Sequence, residues 1–320
     1  MTRETQIAAA LIGDLLAGDP RWFPHPVKAI GRLALRLETP MRRVIPNARW
    51  AGIATALVVV AVAGLSAAAL LAVAARLHPW LYDAASVLLL YTCFAGRDLA
   101  DHARDVLRAL ARGDIELARS RVARIVGRDT AILDEPGIVR AAVESVAENT
   151  VDGVTAPLFF AFVGGPPLVM AYKAVSTLDS TFGYKNERYA QFGWASAKLD
   201  DFAAWIPARV TFPLVALAAL LTGGRARSAW LLGWRDCRKH ASPNAGLPEA
   251  AFAGALGVQL GGPLFRRGQL VEMPRMGEPI EALNRSHIQR ATRMMAVTVL
   301  LAAVIGYAAL LCVQRVFGSL

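Results

Sequence analysis

The sequence predicts an all-α, polytopic integral membrane protein with re-entrant or buried apolar hairpins and a polar site on the cytoplasmic side. Three observations lead there. Hydrophobic residues make up 55% of the 320-residue chain and mean hydropathy is +0.39, more apolar side chain than a soluble domain needs. Ala51 to Ala75 is an uncharged run of 25 residues, longer than the ~20 that cross a bilayer core. Polar residues gather between apolar runs, and an unusual mixture of acids, cations, Gly, Ser and Asn lies from Arg140 to Arg209.

The net charge of +10 fits arginines gathered in cytoplasmic loops and a site for anionic substrates. No basic stripe with interleaved aromatics is present, so nucleic acid is not an expected partner. Cys93, Cys237 and Cys312 stand far apart without a CxxC pattern; they suggest neither a disulfide framework nor a zinc site. The stretch Ile7 to Leu16 is broken by Gly13-Asp14 and does not read as a cleaved signal peptide.

Taken in order, residues 5 to 17 form a helix too short to span. Asp14 and Asp19 lie at its end, before a loop with Trp22, Phe23, Pro24 and His25. His25, between two prolines, reads as a rigid turn or as a ligand-binding side chain. Residues 51–75 are the first span, and Trp80 to Ala95 is expected to be the second. Arginines flank this hairpin far more than they populate its turn, which places the turn outside and the flanks in the cytoplasm. Residues 98 to 126 change to amphipathic periodicity, with Gly113 as a left-handed cap and Asp114 opening the next helix. Most arginines there make a solvated surface, with Arg97 and His102 as exceptions. Asp134, followed by Pro136, opens a helix ending near Asn149. On it Arg140, Glu144 and Glu148 share one face, and Val139, Val143 and Val146 form a buried face opposite.

Three apolar segments fit either a span or a buried element: 153–172, 210–222 and 250–263. Gly164-Gly165-Pro166-Pro167 interrupts the first, so a hairpin is expected there rather than a straight span. Residues 294–313 make the last span. The chain reads as one integral membrane domain, 1–320.

The polar residues suit a site that handles phosphate and a metal. Glu144 or Glu148 can act as general base, with Asn149, Asp152 and Lys173 beside them as further catalytic candidates. Asp179, Asp200 and Asp201 are candidate Mg²⁺ ligands, and Mg²⁺ commonly takes only one or two carboxylates. Lys185, Lys198 and Arg209 are candidates for holding phosphate oxygens, joined by His25, Arg97, Ser242 and Asn244 as substrate-binding candidates. Ser242 and Asn244 also have plain turn-forming chemistry. No GxxxxGK[ST], HExxH or GxSxG is present. A ligase, a membrane phosphotransferase, and a transporter or signalling scaffold with a buried charged path all remain open on these residues alone.

Several phrases resemble the CobD/CbiB family: Gly18-Asp19-Pro20 with His25-Pro26-Val27, Val126-Gly127-Arg128-Asp129-Thr130, and Glu144 through Asp152-Gly153. So do Tyr172-Lys173 with Thr177-Leu178-Asp179-Ser180, Gly183-Tyr184-Lys185, Leu199-Asp200-Asp201, Ile206-Pro207-Ala208-Arg209, Ser242-Pro243-Asn244-Ala245-Gly246 and Leu260-Gly261-Gly262-Pro263. Ser176 departs from the pattern, where Asn is expected, which leaves no amide at that position. The resemblance implies an inner-membrane enzyme of cobalamin biosynthesis, adenosylcobinamide-phosphate synthase. It would join aminopropanol, or its O-phosphate, to the propionate carboxyl of adenosylcobyric acid at the expense of ATP, with Mg²⁺. Membrane lipid and other membrane enzymes of the same pathway are the implied neighbours.

Overall fold

A computed structural model describes residues 1–20, 25–184 and 186–317. Lys185 and the loop residues Trp22, Phe23 and Pro24 lie outside the described residues. The chain begins with α1 (Arg3–Ala17), α2 (Pro26–Val44), α3 (Ala48–Leu77), α4 (Pro79–Tyr91), α5 (Gly96–Ala111), α6 (Ile115–Val122) and α7 (Glu135–Asn149). A π-helical turn, Thr150–Thr155, precedes α8 (Ala156–Phe182). Then come α9 (Trp194–Ala203), α10 (Trp205–Leu221), α11 (Ala226–Asp236), α12 (Gly246–Leu256), strands β1 (Gln259–Arg266) and β2 (Gln269–Gly277), and α13 (Ser286–Phe317). Contacts divide the chain into two compact units: Met1–Ala95 with Ala156–Ala204 and Gly306–Leu320, and Gly96–Thr155 with Trp205–Ile305.

In the first unit α3 packs on α2, α4, α8 and α9. Asn47 opens α3 by accepting the Arg49 and Trp50 N–H groups at 3.0 and 3.2 Å, and an alanine- and valine-rich run carries it to Leu77. Thirty residues rise ~45 Å, ample for a bilayer core. By length and composition three helical stretches can cross a membrane: Ala48–Leu77, Glu135–Phe182 and Ser286–Val316. A fourth requires α9 and α10 to be counted together. The chain is a membrane protein on these grounds. Within the expected second span at 80–95, α4 has 13 residues, a rise of only ~20 Å, because the helix stops at Tyr91.

The run from 156 to 182 turns back on itself. Phe160 and Tyr172 stack with ring centroids 4.9 Å apart, whereas a straight helix would separate them by ~18 Å. The turn is at Gly165, whose φ of 65° and ψ of −160° are open to glycine and costly for other residues. Pro166 and Pro167 follow, where a helix's first turn tolerates the missing N–H. The hairpin expected from Gly164-Gly165-Pro166-Pro167 is therefore present, and Glu135–Phe182 is not one straight rod.

The second unit opens with the expected αα-hairpin, Gly113 at φ 72° and the Asp114 carboxylate accepting the Leu117 N–H at 2.9 Å. Asp134 caps α7 through the Gly137 N–H at 2.9 Å. Burial on α7 is wider than one apolar face: Ala141, Ala142, Ser145 and Ala147 are buried along with the valines, because α5, α6, α12 and β1 all pack on it. Segment 250–263 forms no single helix long enough to cross a membrane. Its first part is the end of α12, buried along its whole length, and its second part enters β1.

The antiparallel pair β1–β2 corrects the all-α expectation. Arg267 and Gly268, with φ 55° and 75°, make the two-residue turn in which both central residues need positive φ. Arginine is a poor resident of that position, so the turn needs outside support. Asp129 supplies it, its carboxylate accepting the Arg267 and Gly268 N–H groups at 3.1 and 2.7 Å.

Candidate active site

The second unit gathers carboxylates from three elements. Glu144, on α7, accepts the Gly261 N–H at 2.6 Å through Oε1, and its Oε2 lies 2.5 Å from Arg128 Nη2. Glu144 thereby ties α7 to the β1 bulge. One turn on, Glu148 is exposed. Asn149 turns back to its own helix, donating to the Ser145 carbonyl at 2.9 Å. Asp152 follows, half-buried in the π turn; such turns recur at functional sites.

The fourth carboxylate, Glu249, comes from α12 and is 7% exposed. Burial pushes it well above the ordinary carboxylate range, with the charges of Glu148, Glu144 and Asp152 acting in the same direction and Arg128 opposing them. His240 Nε2 lies 3.8 Å from its Oε1. His240 Nδ1 accepts the Ser242 N–H at 3.0 Å, which leaves Nε2 facing Glu249. The cluster thus sets a buried carboxyl whose proton is favoured beside an exposed one, an asymmetry suited to acid–base work.

A pH dependence follows. Between the ordinary glutamate value of 4.5 and its raised value in the fold, the folded state holds a proton that the unfolded chain has released. Stability therefore falls as pH rises through that window. Relative to Glu249→Gln, the wild-type Tm is expected to decline as pH rises above the ordinary glutamate value. Parallel Tm–pH curves for the two proteins would show that Glu249 does not hold its proton.

The loop after α11 is built by its own side chains. Ser242 Oγ accepts the Asn244 and Ala245 N–H groups at 3.3 Å, which is turn chemistry. Asn244 is buried and its Oδ1 accepts Arg209 Nη1 at 3.2 Å. Arg209 also donates to the Trp205 carbonyl at 2.9 Å and lies over the Trp205 ring at 4.2 Å. Arg209, Ser242 and Asn244 are thereby brought together. Arg97 pairs with Asp101 at 2.8 Å along α5, an ordinary helix-surface contact.

The first unit holds the other candidates. Lys173 and Asp179 lie on α8; Lys198, Asp200 and Asp201 lie on α9. Lys198 Nζ is 3.2 Å from Asp201 Oδ2, and Asp179 and Asp201 are near enough for their charges to interact. Among the described residues no group of three or more His, Cys, Asp or Glu side chains is arranged to hold a metal, so the three aspartates form no ready-made cage. The Asp179–Asp201 pair still fits Mg²⁺, which keeps most of its waters and needs one or two carboxylates. His25 caps α2 through the Val27 N–H at 3.2 Å and stands 3.6 Å from Asp19. Lys185, a candidate phosphate ligand, lies outside the described residues.

Sequence reasoning missed Glu249, Arg128 and His240 as members of the cluster. A signal for Glu249 was available: it is the one charged residue between Lys239 and Arg266, and an acid alone in an apolar run needs a reason. Nothing in the spacing links Arg128 or Gly261 to Glu144.

The family model described as CobD/Cbib protein matches residues 7–295. A cobalamin biosynthesis protein CobD of Geobacter metallireducens is 50% identical over 302 residues, covering 93% of this chain and 95% of that protein. CobD of Pelobacter propionicus is 46% identical, covering 95% and 94%, and the cobalamin biosynthesis protein CbiB of Salmonella typhi is 44% identical, covering 94% and 95%. No solved structure matches.

Proposed function

Because the chain belongs to the CobD/CbiB family, we propose that it acts in cobalamin biosynthesis as an adenosylcobinamide-phosphate synthase. The reaction joins aminopropanol O-phosphate, or aminopropanol, to the propionate carboxyl of adenosylcobyric acid. A carboxylate is a poor acylating agent. Its oxygen first takes the γ-phosphoryl group of ATP, releasing ADP; the amine nitrogen then attacks the acyl carbon, and phosphate leaves with the C–O bond electrons. The new N–C bond carries an ammonium proton that must go to a base.

The observation that carries the reading is the pairing of exposed Glu148 with buried Glu249. Glu148 is the assigned base, reachable from solvent, while burial beside the other carboxylates favours the protonated form of Glu249. Glu144, fastened by Arg128 and Gly261, holds the geometry. Arg209, with Asn244 and Ser242 behind it, is assigned to substrate. In the first unit Asp179 and Asp201 would hold Mg²⁺, with Asp200 adjacent and Lys173, Lys185 and Lys198 as further cations. The ion's contribution is to neutralise phosphate charge. We assign the chain to the inner membrane with its polar clusters on the cytoplasmic side, where ATP is found.

The test is a ligation assay on the detergent-solubilised protein with ATP, Mg²⁺, adenosylcobyric acid and each amine. Amide product formed together with ADP supports the reading. ADP formed without amide points to a phosphotransferase, and neither product refutes both enzyme readings.

A further inference from the structure

Where β1 bulges between Leu260 and Gly262, two guanidinium groups face each other without an acid between them. An ideal Cβ built on Gly262 would stand 3.5 Å from Arg140 Nη1 and 3.6 Å from Arg275 Nε, so both nitrogens lie within 3.6 Å of one point. Arg140 comes from α7 and its Nε is buried with no hydrogen-bond partner. Arg275 comes from β2, is exposed, and donates to Gln259 Oε1 at 3.5 Å, the outer limit for such a bond. Among the described residues no carboxylate pairs with either. Glu144 shares a helix face with Arg140, but its charge is taken by Arg128 at 2.5 Å.

This arrangement is costly unless something negative fills it. Two like charges repel, and a buried guanidinium N–H without an acceptor forfeits a hydrogen bond worth more than a neutral one. Gly262, at φ 86°, leaves open the position that a side chain would occupy between the two arginines. Glu144 and Arg128 hold the bulge in place through the Gly261 N–H. The opening is therefore preformed.

We propose that Arg140 and Arg275, across Gly262, form a binding site for a phosphoryl dianion. Guanidinium forks match phosphate oxygens in a bidentate way, and neither arginine was among the cations expected to bind phosphate. The tie to catalysis rests on the ligase reading, in which the dianion belongs either to the phosphorylated amine or to the nucleotide. The site itself does not depend on that reading.

The test begins with binding of inorganic phosphate to the full-length protein in detergent, followed by ³¹P NMR titration. Arg275→Gln is expected to weaken binding at least tenfold, as loss of a charge-assisted hydrogen bond does. Arg275→Lys should recover part of the loss. Arg112→Gln, at an exposed position in the same unit, should bind like wild type. Arg275 is exposed, so its removal leaves the core intact; Arg140→Gln is the companion variant, judged only where its melting curve stays cooperative. Unchanged phosphate binding in Arg275→Gln, or an equal loss in Arg112→Gln, overturns the site. In the ligation assay, a raised KM for aminopropanol phosphate alone assigns the site to the amine, and a raised KM for ATP alone assigns it to the nucleotide. Binding lost with both KM values unchanged overturns its role as a substrate subsite. Should the wild type make no amide at all, the ligase reading fails while the phosphate titration still decides the site.

Discussion

Glu148→Gln is expected to lower kcat of the proposed ligation by two to four decades, the usual cost of removing a positioned general base. The amide keeps the size and hydrogen-bonding reach of the carboxylate but cannot accept the ammonium proton at neutral pH. Because Glu148 is exposed, the substitution should leave the melting temperature close to that of the wild type, so the loss will be one of rate and not of folded protein. KM for both substrates should change little, since proton acceptance follows binding. A variant that keeps more than a tenth of wild-type kcat would remove Glu148 from the reaction and pass the role to Asp152, the next acidic residue along the chain.

Glu144→Gln is expected to act on stability instead. Arg128 and Glu144 have side chains only 15% and 8% exposed, and removing one member of a buried ion pair costs about 3–5 kcal/mol because the other charge is stranded. The glutamine carbonyl can still accept the Gly261 N–H, so the measured loss reports mainly on the charge. The double variant Arg128→Met with Glu144→Gln should recover a large part of it, since no unpaired charge is then left in the interior. Denaturant unfolding in detergent gives both values. If Glu144→Gln unfolds within about 1 kcal/mol of wild type, the pair does not hold the bulge. An exposed pair makes the contrast: breaking Lys198–Asp201, with Lys198 61% exposed, should cost no more than about 1 kcal/mol.

These two residues show how far the sequence could be read. Glu144 and Glu148 sit one helical turn apart on the same helix, and their shared face was legible from spacing alone. Their different roles were not. The role of Glu144 depends on Arg128, in the preceding loop, and on a backbone N–H more than a hundred residues later. That proposed for Glu148 depends on Glu249, on a helix that sequence reasoning left undecided between a span and a buried element.

By itself the sequence determined what depends on neighbours along the chain. Asp114 and Asp134 announced their caps, Gly113 its turn, Gly165-Pro166-Pro167 the point where α8 turns back, and the uncharged runs the helices α3 and α13. Each of these follows from backbone propensity and from periodicities of a few residues. Composition and ordered motifs also carried the family. Tertiary structure decided the rest: that α4 stops at Tyr91, that Gln259 to Gly277 pairs as two strands, and that Arg140 and Arg275 meet across Gly262. The reason is physical. A strand is stabilised by a partner whose register is set elsewhere, and a side chain's charge state is set by whatever packs against it. Neither is written in the residues immediately before and after.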